Sequence, residues 1–204
     1  MALSNLKNIG IKPSITVLAV VSEYNFKYLN EFLNALEQQV YTRFRVTFIT
    51  NNPSDKINYT LTKVIKNDEV YQIIPYEQLG QHLKNSNLEY CLFTSISAIP
   101  VADAFYNYLL AINENSKLKF AYSDHDHAEI DNIKGSYNPY FKPDFSPQTL
   151  WSRNYIGKSF LLSKDLLCSL NLPETPNLYA IALAATREGE NIHHIPKVLY
   201  HQIT

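Results

Sequence analysis

Residues 14–21 (SITVLAVV) are apolar and β-branched almost without a break, the pattern of a strand covered on both faces. A polar stretch, Ser22-Glu23-Tyr24-Asn25, then turns the chain. Beyond it apolar side chains recur at Phe26, Leu29, Phe32, Leu33, Leu36 and Val40, which is one stripe of a helix. The exchange repeats. Strands are predicted over 44–50 (FRVTFIT), 69–74, 89–93 (EYCLF) and 118–123 (LKFAYS), and helices over 56–66, 76–85 and 101–114. The helix over 76–85 is interrupted by Gly80, and the one over 101–114 turns Phe105, Leu109, Leu110 and Ile112 inward. Asn51-Asn52-Pro53-Ser54-Asp55 closes the second strand with turn formers. No hairpin dipeptide separates these elements, so the alternation asks for an α/β fold with a mostly parallel sheet flanked by helices.

After residue 123 the periodicity stops. The predicted strand empties into Asp124-His125-Asp126-His127, and the stretch 120–158 is aromatic-rich with three prolines. Further on come a short strand over 160–162, a short helix over 164–170, a two-proline loop over 172–177 and a helix over 179–187. Residues 191–200 hold two short apolar pieces around Pro196. In α/β proteins ligands collect at the carboxyl ends of strands. Four consecutive residues able to hold a cation or move a proton therefore mark a candidate site. A hydrated acidic turn that happens to contain histidines is the other reading, and the residues alone leave both open.

Composition changes the picture in a few respects. With 204 residues, 46% of them apolar and 18% charged, the chain suits one folded domain, expected over 14–204 behind a loose lead-in at 1–13. Net charge is −1 and the basic residues are scattered, which argues against a nucleic-acid partner. The apolar run at 17–21 is far too short to span a bilayer, so a soluble, intracellular protein without a transmembrane segment is expected. Cys91 and Cys168 lie in apolar runs without metal-ligand spacing and are expected as buried, reduced thiols. Five glycines leave no phosphate-binding glycine loop, whereas 15 tyrosines and 10 phenylalanines offer rings for stacking as well as for a core.

The order SITVLAVVSEYN, FRVTFITNNPSD, AYSDHDH, YFKPDFSPQTLWSRNYIGKSFLLSKDLL and HIPKVLYH resembles the inverting GT-A glycosyltransferases of family two, of the bacterial surface-polysaccharide type. The blocks FKPDFSP, RNYIG and HIPKVLYH are the specific ones, and the likeness covers nearly the whole chain. It implies a GT-A, Rossmann-like fold, a nucleotide-diphospho-sugar donor, a glycan acceptor and a divalent cation, Mg2+ or Mn2+, held by carboxylates.

At three stations this chain departs from that pattern. Where the family places its metal-binding Asp-x-Asp, the sequence has Ser95 and Ser97. A neutral hydroxyl can touch a cation but cannot offset its charge. Asn51 and Asn52 stand where paired aspartates would meet base and ribose; amides can still hydrogen-bond both. The acidic block expected to supply the acceptor's base appears as Leu178-Tyr179-Ala180-Ile181.

Other positions survive. The resemblance makes Asp124 and Asp126 candidate catalytic groups and, with His201, candidate metal ligands; a loop-capping Asp124 and an ordinary surface His201 are the alternative. Tyr24, Asn25, Ser95, Ser97, Lys142, Asn154 and Tyr155 are expected with Asn51 and Asn52 along the nucleotide and sugar cleft. Lys142 is expected to pair locally with Asp144 or to approach the donor phosphate. Trp151 is expected either on a sugar ring or in the core.

Two functions follow. One is a degenerate module of polysaccharide assembly, acting as scaffold or partner of another glycosyltransferase. The other is an active transferase that uses Asp124 or Asp126 in place of the lost motifs. Both imply a cytoplasmic setting that extends to a peripheral position at the inner membrane face.

Overall fold

The computed structural model describes residues 9–50, 55–64 and 70–203. Strands β1 (Ile15–Val21), β2 (Phe44–Thr50), β3 (Tyr71–Pro75) and β4 (Tyr90–Ser95) alternate with helices α1 (Leu29–Glu37), α2 (Asp55–Val64) and α3 (Leu79–Asn85). Single 3-10 turns, Phe26–Tyr28 and Tyr76–Gln78, lead into α1 and α3. A short β5 (Ala98–Pro100) precedes α4 (Ala104–Glu114). The second half holds β6 (Phe120–Glu129), β7 (Asn132–Tyr140), α5 (Pro147–Ser152), β8 (Ser159–Ser163), α6 (Lys164–Ser169), α7 (Leu178–Ala185) and β9 (Ile192–Ile203).

One sheet runs in the order β3-β2-β1-β4-β8-β6-β9-β5, with β7 paired to β6. Among the described strands, β1, β2, β3, β4, β6 and β9 point one way, and β5, β7 and β8 run against them. The mostly parallel α/β sheet expected from the sequence is what forms. All seven residues of β1 are buried, as its unbroken apolar run requires. Ile15, Val17, Ala19 and Val21 face α1, α2 and α4, whereas Leu18 joins the opposite core with Leu79, Leu83, Phe93, Phe160 and Ile181.

The stretch after residue 123 differs from its expectation. Asp124–His127 are not a loop beyond a strand but the middle of β6, which turns at Ile130-Asp131 and returns as β7. Two-residue hairpin loops need no Asn-Gly, and here the polar alternation hides the strand. In β7 the register slips past Asn138, whose φ of +50° suits a residue that tolerates left-handed backbone.

The two apolar pieces around Pro196 are likewise one strand, β9. Its pairing jumps from Ser123–Ile195 to Asp124–Val198, so Pro196, which lacks an N–H, sits in a bulge where no ladder bond is required. The bulge re-aims β9 so that His194 and His201 both reach aspartates of β6. Cys91 is buried, but Cys168 is exposed on α6, on the solvent side of a helix too short to bury both faces.

Candidate functional site

β1 and β4 are neighbours, with Val20 opposite Ser95, and their carboxyl ends open at one place. Asn25 bridges them. Its Oδ1 accepts from Ser22 N at 2.8 Å, and its Nδ2 donates to Val20 O at 3.0 Å and to Ser95 Oγ at 3.1 Å. Ser95 Oγ lies 2.9 Å from Ser97 Oγ and accepts from Ser97 N at 3.3 Å. Lys158 completes the line: its carbonyl accepts from Ser95 N at 3.0 Å, and its Nζ donates to Ser97 Oγ at 3.2 Å. Partial burial lowers the pKa of that ammonium. Tyr24, beside Asn25, is 91% exposed and stands free at the rim.

Asp124 and Asp126 of β6 are already engaged. Asp124 Oδ1 accepts from the Lys142 backbone N–H at 2.8 Å and sits 2.8 Å from His194 Nε2. The other nitrogen of His194, Nδ1, lies 3.4 Å from Asp144 Oδ1. Asp126 Oδ1 is 2.5 Å from His201 Nδ1. Asp126 and His201 are thus brought together, while Asp124 turns to a different histidine. Among the described residues no three His, Cys, Asp or Glu side chains converge on a point that could hold a metal. At the serine station the donor set is two neutral hydroxyls beside an ammonium. That chemistry does not fit a divalent cation, which asks for several oxygen ligands carrying countercharge.

Behind these acids lies a basic interior. Lys142 is buried and its Nζ donates to Ile156 O at 2.6 Å and to Tyr200 Oη at 2.8 Å. Burial pushes its pKa down to about 7, with Asp124 opposing. The sequence-expected Lys142–Asp144 pair is replaced by Lys142–Tyr200, because Asp144 points outward to His194. His125 stacks on Tyr200 with centroids 5.6 Å apart and planes at 16°. Its pKa falls to about 3, first through burial and then through the positive charge of Lys142, His127 and Lys158. His125 Nδ1 is buried without a hydrogen-bond partner.

Gly157 makes this arrangement possible. Its φ is +86°, and a Cβ there would come within 3.1 Å of Tyr200 Oη and 3.2 Å of Gln202 Nε2. Asn154 holds the turn, accepting from Gly157 N at 3.0 Å and donating to Gly157 O at 3.4 Å. Tyr155 is a buried wall whose Oη accepts from Ser146 N at 2.9 Å. Trp151 is 70% exposed, not in the core. Ala180 occupies the first turn of α7, where its backbone N–H donates to the Asn177 cap at 3.0 Å. Asn51 and Asn52 lie outside the described residues.

Sequence reasoning missed Lys158 and His194 as site residues. Lys158 follows Gly157 and immediately precedes β8, a signal that becomes legible only once β8 is known to run antiparallel to β4.

No protein-family model matches the sequence, and no curated protein matches it. Solved structures do. S. aureus TarS 1–349 in complex with UDP superposes at a TM-score of 0.68 with 15% identity, over 94% of this chain and 60% of that one. The fold is that of a GT-A-like glycosyltransferase. The same TarS fragment in complex with UDP-GlcNAc gives a TM-score of 0.66 at 16% identity, over 94% of this chain and 58% of that one. The mannosyltransferase PcManGT from Pyrobaculum calidifontis, in complex with GDP-Man and Mn2+, gives 0.62 at 12% identity, over 95% of this chain and 57% of that one. This chain therefore spans about three fifths of the length of these structures. No helix among its described residues is long and apolar enough to cross a membrane.

Proposed function

We propose that this chain is a glycosyltransferase-like domain that keeps a cleft for a nucleotide-diphospho-sugar while its transfer chemistry is impaired. It would serve bacterial surface-polysaccharide assembly at the cytoplasmic face, as a scaffold or partner module of an active glycosyltransferase. One observation carries the reading: the chain Asn25–Ser95–Ser97–Lys158 at the ends of β1 and β4 offers hydrogen bonds and positive charge, yet no carboxylate. The UDP, UDP-GlcNAc and GDP-Man complexes of the similar structures support a nucleotide-sugar as the ligand class. Ala180, in the helical first turn of α7, cannot accept an acceptor's proton, which supports impairment.

Calorimetric titration with UDP, GDP and dTDP tests the ligand class. Micromolar binding of at least one is expected, together with no sugar transfer from the matching donor. Flat isotherms for all three contradict the reading, since a donor site must at least hold its nucleotide.

The Asp126–His201 pair favours a second reading, an active enzyme with Asp126 as its base, because the hydrogen bond to His201 fixes the orientation of that carboxylate. In that case transfer is measurable in the wild type and lost in Asp126→Asn.

A further inference from the structure

We propose that Lys158 supplies, from the protein itself, the positive charge that neutralises the diphosphate of a bound nucleotide, so that the cleft takes nucleoside diphosphates without a divalent cation. This rests on the reading above that the cleft holds a nucleotide-diphospho-sugar.

The position of Lys158 is set by register. The antiparallel ladder between β4 and β8 pairs Thr94 with Ser159, and the next bond outward runs from Ser95 N to Lys158 O at 3.0 Å. Lys158 is therefore the residue opposite Ser95, fixed by the backbone at the open end of β4. From there its Nζ reaches Ser97 Oγ at 3.2 Å. An ammonium carries three donors, and Ser97 takes one. None of the ion pairs among the described residues involves Lys158. Its charge is available to a ligand.

The surroundings favour an anion over a cation. A divalent ion placed on the Ser95 and Ser97 hydroxyls would sit against an ammonium 3.2 Å from one of them. The next basic groups inward are Lys142 and His125, both buried behind the cleft. Burial lowers the pKa of Lys158, and an arriving phosphate reverses that shift by favouring the ammonium. A compact ammonium with free donors suits a phosphate oxygen through a charge-assisted hydrogen bond.

The test compares UDP and GDP with uridine and guanosine, each titrated in EDTA and in Mn2+, on the wild type, Lys158→Ala and Lys158→Met. Wild-type affinity for the diphosphate that binds is expected to be equal, within about twofold, in EDTA and Mn2+, since no metal participates. Lys158→Ala is expected to weaken it roughly 10- to 100-fold and to leave the nucleoside unchanged. Lys158→Met keeps the apolar stem and should show the same loss; thermal melts of all three confirm folding. The triple variant Ser95→Asp/Ser97→Asp/Lys158→Ala is expected to recover affinity in Mn2+ only. Wild-type binding that requires Mn2+, or diphosphate affinity unchanged in Lys158→Met, overturns the role of Lys158 and leaves the nucleotide cleft standing. Failure of every nucleotide in both buffers overturns the cleft itself, and the inference with it.

Discussion

Lowering the pH from 7 toward 4 is expected to destabilise the wild-type protein by about 2–3 kcal/mol through His125 alone, and His125→Phe is expected to remove most of that loss. The folded state holds the imidazole neutral, with its pKa down at about 3, whereas the unfolded chain takes up the proton near 6.5. Between those values the unfolded state binds more protons, so stability is complete above about 6.5 and falls as the pH drops. The full shift would be worth about 5 kcal/mol, of which about 3 falls between pH 7 and pH 4. A phenyl ring in place of the imidazole would keep the stacking on Tyr200 and remove a buried nitrogen that has no partner. Urea unfolding at a series of pH values reads the effect. An identical acid slope in both proteins would contradict the buried, neutral imidazole.

The second large effect lies at the other end of the pH axis. Lys142 titrates at about 7 in the folded chain, against 10.5 for a free lysine, because burial penalises its charge more than Asp124 compensates. The unfolded state binds more protons from about 7 to 10.5, so stability is expected to rise with pH across that window. Lys142→Met should flatten the rise and stabilise the protein at pH 7 by about 1–3 kcal/mol. The groups it abandons satisfy each other, since Tyr200 Oη already donates to Ile156 O at 3.2 Å. A destabilised variant with an unchanged slope would show that the ammonium is a net structural asset. If the expected gain appears, the wild type retains a destabilising buried cation, as sites that trade stability for binding do.

The first half of the chain was legible because its burial is two-sided and repetitive. The run ITVLAVV has no polar face to present, so it had to be a central strand, and the stripe Leu29, Phe32, Leu36 had to be a helix against it. The β6–β7 hairpin was not legible for a matching reason. Its cross-strand pairs are His125 with Tyr140, His127 with Tyr137 and Glu129 with Asn132, and its buried aspartates are bonded to histidines and backbone. Alternation of Asp and His then looks like a loop. Asn25, Ser95 and Ser97 could be placed because strand ends fix them. Lys158 could not, since its partner in space, Ser95, is set by antiparallel pairing across a long sequence separation. His194 was hidden by Pro196, which suggested a break where the strand only bulges.

The proposed function depends on hydroxyls and an ammonium, rather than acids, standing at the open ends of β1 and β4. Electron paramagnetic resonance of free Mn2+, titrated with the protein in the absence of nucleotide, measures this directly. The free-ion signal is expected to be undiminished by the wild type and to fall with the Ser95→Asp/Ser97→Asp/Lys158→Ala variant. Loss of one Mn2+ per wild-type chain, restored by Asp126→Asn, would contradict it.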